Sequence, residues 1–107
     1  MDDWIDVAAT VDLPPGTCRT VEAAGTPIAV FNVDGTYYAI EDRCTHDDGT
    51  LSDGMVHDCE IICPRHQARF SLRSGAALCA PAYEPVATFP VRIANGTVQV
   101  RDNRFDT

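Results

Sequence analysis

The sequence predicts an all-β protein, a small antiparallel sandwich or barrel. Three observations carry this prediction. Strand-sized apolar runs recur between turn signals, two pairs of runs are joined by Asp34-Gly35 and Asn95-Gly96, and no stretch shows helical periodicity. In chain order, Trp4 to Val7 is a first candidate strand, and Thr17 to Ala23 follows the turn-prone Pro14-Pro15-Gly16. Thr26 to Val33, Asp34-Gly35 and Thr36 to Ile40 read as a hairpin. Glu60 to Ile62 and Arg69 to Leu72 are shorter candidates, and Pro81 and Pro85 frame a loop. Phe89 to Ala94, Asn95-Gly96 and Thr97 to Asp102 read as a second hairpin. In it Val91 and Ile93 alternate with Arg92, and Val98 and Val100 with Gln99 and Arg101, as half-buried strands require. No internal repeat is visible.

At 107 residues the chain suffices for one domain with a modest core, and its 45% apolar content is that of a globular protein. The formal charge of −8 argues against nucleic acid, whose phosphates need clustered Lys and Arg. It favours a basic surface on a protein partner, although such charge also serves plain solubility. The N-terminal MDDWIDVAAT lacks the basic and apolar regions of a signal peptide, and no apolar run is long enough to cross a bilayer. A cytoplasmic location with no membrane contact is expected, where thiols stay reduced. Five cysteines, an odd count, also do not suit a complete disulfide framework.

The segment CTHDDGTLSDGMVHDCEIICPRH, residues 44–66, holds three of the cysteines and all three histidines. It is the longest segment without good strand periodicity and is rich in turn formers, and long irregular segments in small domains are usually functional. Two pairs stand out: Cys44-x-His46 and, after 16 intervening residues, Cys63-x2-His66. A zinc finger is one rival, but it sets a cysteine pair against a histidine pair on a helix, and no helix is visible. A mixed pair on each loop suits a two-iron centre better, each loop giving its cysteine to one iron and its histidine to the other.

These residues carry a resemblance. CTH at 44–46 and CPRH at 63–66 resemble the Rieske [2Fe–2S] motif, C-x-H followed by C-x-x-H. RFSLRSGAALCAPAYEPVATFPV, residues 69–91, resembles the segment after the second ligand loop of bacterial Rieske-type ferredoxins. The likeness runs from about Ala29 to Val100. It implies one Rieske domain over residues 1–107, with two cluster-binding loops, about 43–50 and 62–70, at one tip. It also implies a proline-rich loop, about 79–85, in which Pro81 shields one [2Fe–2S] cluster of Cys₂His₂ type. Cys44 and Cys63 are then expected on the inner ferric iron, and His46 and His66 on the outer iron near the surface. Cys18, Cys59 and Cys79 are expected as buried thiols in strands or turns, Cys59 at a strand start, and His57 as an exposed loop residue.

Respiratory Rieske proteins resemble CTHxxC and CPCH, with a disulfide joining the loops; here Gly49 and Arg65 stand at those positions. Their Ser and Tyr donors to the cluster correspond to Ala68 and Phe70, which have no side-chain donor. Losing donors that stabilise the reduced cluster lowers the potential, placing it at roughly −150 mV. With no membrane anchor, the chain resembles the ferredoxin component of bacterial aromatic-ring-hydroxylating dioxygenase systems. The resemblance implies a monomeric electron carrier, taking electrons from a flavoprotein NAD(P)H reductase and passing them to a terminal oxygenase. It implies no catalytic site: after the four ligands only His57 remains, too few for a mononuclear iron triad. Alternatives are a small Rieske subunit of a reductase such as nitrite reductase, the ferredoxin of a diiron monooxygenase and, more remotely, a zinc-stabilised interaction domain. Arg65, between the ligands of the second loop, either contacts an acidic partner group or is a solvated side chain.

Overall fold

The computed structural model describes residues 4–23, 25–44, 49–64, 67–80 and 84–104. An unbroken apolar run suits a strand covered on both faces, and Ile28-Ala29-Val30-Phe31 lies accordingly in the middle layer of the molecule. The strands are β1 (Ile5–Ala9), β2 (Cys18–Ala23), β3 (Thr26–Val33), β4 (Thr36–Glu41), β5 (Met55–His57), β6 (Glu60–Ile62), β7 (Arg69–Ser71), β8 (Ala77–Cys79), β9 (Thr88–Phe89), β10 (Val91–Ala94) and β11 (Thr97–Val100). A 3-10 turn spans Thr10–Asp12. The strands form three antiparallel sheets, ordered β1-β11-β10, β2-β3-β4-β9 and β5-β6-β7-β8.

The second sheet separates two apolar clusters, and the alternation of its strands shows how. On β3, Ile28 and Val30 face a cluster with Val7, Val98 and Val100 of the first sheet. Ala29 and Phe31 face the opposite cluster, with Ile61 and Phe70 of the third sheet. On β4, Tyr37 and Ala39 join the first cluster, and Tyr38 and Ile40 the second. A one-residue slip would exchange the two sets, so both faces hold the register.

Both predicted hairpins form. Asp34 and Gly35 have φ of 53° and 93°, and Asn95 and Gly96 of 52° and 78°, the paired positive values of type I′ turns. The predicted strand Phe89 to Ala94 is instead divided at Pro90. Before it, β9 pairs with β4; after it, β10 pairs with β11 in another sheet. Proline cannot donate to a ladder, so the chain changes sheets there. Two further strands, β5 and β8, arise where none is expected from the sequence. The β5–β6 turn is Asp58-Cys59, with φ of 51° and 61°, a type I′ turn made without glycine.

Candidate metal centre

The two candidate cysteines each begin a loop closed by the same backbone hydrogen bond. The Cys44 amide donates to the Gly49 carbonyl at 2.7 Å, and the Cys63 amide donates to the Ala68 carbonyl at 2.7 Å. Each hydrogen bond joins residues i and i+5, so each cysteine heads a closed six-residue loop. In the second loop the Gln67 amide also donates back to the Cys63 carbonyl at 3.0 Å, and Gln67 turns the chain with a φ of 60°. Cys44 and Cys63 are both fully buried and belong to one cluster with Leu51, Ile61, Ala68 and Phe70.

Each loop is held differently. The second is the connection of a hairpin: Ile62 pairs with Arg69 at its base, and Ile61 with Phe70 one step further. The first has no strand directly after it. Asp42, only 7% exposed, spans the gap instead. Its Oδ1 accepts from the Leu51 amide at 2.8 Å and the Ser52 amide at 2.7 Å, while its Oδ2 accepts from the Ser52 hydroxyl at 2.8 Å. The chain then turns at Gly54, where a Cβ would overlap the backbone carbonyl of Ile62. The return of the first loop is thus pressed onto the strand that leads into the second. Gly75 is packed in the same way on the carbonyl of Val86, whose amide donates to Gly75 at 2.8 Å, fixing the chain that follows residues 81–83.

A polar clasp joins the end of β4 to the start of β3 and the C-terminal segment. Arg104 donates to Asp102 at 2.8 Å, to the Thr26 hydroxyl at 2.9 Å and to Glu41 at 3.3 Å, and stacks 5.1 Å from the Phe89 ring centroid. Hydrogen bonding from Arg104 pulls the Asp102 carboxyl down to about 2. The Cys18 thiol donates to the Ser52 carbonyl at 3.8 Å. Burial, and then the Asp42 and Asp53 carboxylates, push its pKa up, which makes it a poor nucleophile near neutrality.

The structure thus brings Cys44 and Cys63 into one cluster. His46, His66, Arg65 and Pro81 lie outside the described residues. Among the described residues, no group of three or more His, Cys, Asp or Glu side chains could hold a metal. The described donors, two buried thiols in an apolar wall at the heads of matched loops, fit an iron–sulfur cluster, whose irons take soft thiolate ligands. Ala68 and Phe70 are fully buried in that wall and have no side-chain donor to offer.

Three expectations need correction. Cys79 is exposed on β8, which among the described residues pairs only with β7; its thiol reaches the Gln67 carbonyl at 3.7 Å. Cys18 is half-buried. His57 is exposed as expected but closes strand β5, beside Asp58 at 3.2 Å. Cys59 is buried as expected, in the turn that precedes β6. Asp42 and Gly54 carry no signal in the sequence beyond their turn propensity, since what they do depends on segments distant along the chain.

No helix among the described residues is long and apolar enough to cross a membrane. The family model of the Rieske [2Fe-2S] domain matches residues 3–90. A Ralstonia sp. protein named as the ferredoxin component of naphthalene 1,2-dioxygenase/salicylate 5-hydroxylase systems is 40% identical over 99 residues, 92% of this chain and 95% of that protein. The 3-phenylpropionate/cinnamic acid dioxygenase ferredoxin subunit of Photorhabdus laumondii is 42% identical, covering 88% of this chain and 90% of its own. Among solved structures, a chain in the complex of reduced oxygenase and oxidised ferredoxin of carbazole 1,9a-dioxygenase superposes with a TM-score of 0.88 at 36% identity, over 94% of both chains. With two buried cysteines heading matched loops and a family model that covers most of its length, this chain belongs to the Rieske [2Fe-2S] domain family.

Proposed function

We propose that this protein is the electron-carrying ferredoxin of an aromatic-ring-hydroxylating oxygenase system, that residues 1–107 act as one Rieske unit, and that Cys44, His46, Cys63 and His66 hold its single cluster. The observation that carries the ligand set is the matched closure of the two loops, each with a buried cysteine at its head. A [2Fe–2S] cluster supplies one-electron chemistry when bound. The chain's own contribution would be to hold it, to keep water from the two cysteine thiols and to set its potential. Leu51, Ile61 and Phe70 exclude water around the two thiols, and the lack of a hydroxyl at Ala68 and Phe70 favours a low potential. The relatives named as dioxygenase ferredoxins support an oxygenase as electron acceptor, and a flavoprotein reductase as donor follows from the same reading. The protein then acts as a cytoplasmic monomer without a catalytic site of its own. As a transient carrier it needs a small, quickly released interface, and Arg65 is a candidate contact there.

The test is direct. Metal analysis is expected to find two irons and two acid-labile sulfides per chain, in a red-brown protein; a colourless protein containing zinc overturns the assignment. Serine at Cys44 or Cys63, or alanine at His46 or His66, is expected to abolish the visible spectrum, whereas serine at Cys18, Cys59 or Cys79 leaves it intact. Reduction by a flavoprotein reductase with NAD(P)H, followed by reoxidation by a terminal oxygenase with an aromatic substrate, checks the role. Transfer only to a nitrite reductase would move the protein to the reductase-subunit reading. Arg65→Glu is expected to slow transfer without altering the spectrum, and unchanged rates with both partners would remove Arg65 from the docking surface.

A further inference from the structure

Hairpin strands hold the second loop; among the described residues, the first is closed by the backbone bond from Cys44 to Gly49 and by side chains at its base. Asp42 is the buried side chain that reaches across its base. It sits two residues before Cys44 and collects the Leu51 amide, the Ser52 amide and the Ser52 hydroxyl, all at 2.8 Å or less. Its own amide donates to the Pro27 carbonyl at 2.8 Å, which fixes the carboxylate to the start of β3. Burying a carboxylate is costly unless donors surround it, and these donors all come from the far end of the loop.

The same carboxylate lies close to the proposed centre. Two residues of chain span at most roughly 7 Å, so Asp42 cannot be far from the Cys44 backbone. Its described hydrogen-bond partners are two amides and a hydroxyl, none of them a cation. Reduction adds one negative charge, and a like charge held in a poorly polarisable surrounding opposes it.

We propose that Asp42 is a positioning residue of the first loop, tying its two ends together, and that its buried charge also holds the reduction potential down. This rests on Cys44 being a ligand.

Two substitutions separate the roles. In Asp42→Asn the amide oxygen can still accept from both backbone amides, and the Ser52 hydroxyl can turn to accept from the new NH₂, so the contacts survive while the charge is lost. Asp42→Ala removes both. Amide hydrogen exchange at Leu51 and Ser52, iron release to a chelator and the midpoint potential are read on each variant. For Asp42→Asn the expected result is near-native exchange, an intact visible spectrum and a raised potential; an unchanged potential overturns the charge role. For Asp42→Ala, exchange at both amides is expected to rise about tenfold or more, with faster iron release. Native exchange and native release overturn the positioning role. If Asp42→Ala does not accumulate folded, Asp42→Glu replaces it: the charge stays but the acceptors move by a methylene, so faster exchange supports positioning and native exchange overturns it. Cys44→Ser is the control for the ligand reading. A cluster that survives that change defeats the reading, whereas amide exchange in the Asp42 variants judges positioning independently.

Discussion

The two loops headed by Cys44 and Cys63 are closed by the same backbone bond and yet supported in opposite ways. The second inherits its shape from β6 and β7, whose ladder brings Ile62 and Arg69 together at its base. The first leaves β4 without a partner strand to return on, and its base is closed by a buried carboxylate and by the packing of Gly54 against Ile62. A loop inside a ladder is held by many cooperative main-chain bonds. A loop outside one depends on a few side chains, each of which a single substitution removes. The first loop should therefore be the more sensitive to point changes at polar and glycine positions, and the second to loss of apolar packing beneath its strands.

The largest effect is expected where the two supports meet. Gly54→Ala would drive a methyl group into the Ile62 backbone, which has no flexible end to yield. A loss on the order of 3 kcal/mol or more is expected in urea unfolding, with failure to retain the cluster. Gly35→Ala is the contrast: its Cβ would meet open space, and only the φ of 93° opposes it, for a cost of about 1 kcal/mol. Equal costs would mean that the close approach at Gly54 is not what joins the loops.

Next comes Ile61→Ala. This fully buried side chain lies under the second loop's hairpin, and its truncation is expected to cost about 2–5 kcal/mol. Amides of β6 and β7 should lose protection before those of Leu51 and Ser52. The reverse order would show that the first loop leans on this packing as much as on Asp42. Smaller again in stability are Ala68→Ser and Phe70→Tyr, each adding a hydroxyl to a packed wall at a cost of about 1–3 kcal/mol where no acceptor is found. Both are expected to raise the potential by offering a donor on the second-loop side; a double variant with an unaltered potential would show that the hydroxyls point away from the centre.

The smallest effect concerns acid. Asp102 has a folded pKa of about 2, below the ordinary carboxylate value near 3.9, so its bonds to Arg104 and Thr26 add stability that is fully present above about pH 4. That contribution is lost as pH falls from about 4 through 2. Through Glu41 the clasp borders the root of the first loop, so acid should loosen Leu51 and Ser52 before the β6–β7 ladder. In Arg104→Ala this part of the acid dependence should disappear. An unchanged profile would mean that the clasp carries no such linkage.

How much of this was legible depended on range. The hairpins at Asp34-Gly35 and Asn95-Gly96 are local: two residues that tolerate positive φ lie between runs of β-formers, and they formed as expected. The Asp58-Cys59 turn uses the same backbone without a glycine, so the hairpin of β5 and β6 left no comparable mark. Pro90 was legible as a proline but not as the point where the chain changes sheets, since that depends on which strands lie on either side. The burial of Cys59 and the exposure of Cys79 could not be told apart, because neighbours in space decide whether a thiol is covered.

By itself the sequence determined the β class, the two tight turns and the Cys/His spacing that marks a Rieske chain, because turn chemistry, strand alternation and ligand spacing are written over a few residues. Only the tertiary structure decided that both cysteines are buried in one cluster, that Asp42 rather than a strand closes the first loop, and that Gly54 must be bare to let one loop lie on the root of the other. Those are facts about close approach between segments distant in the chain. Burial and hydrogen bonding act through space, and no local pattern records which carbonyl will come to rest against which glycine.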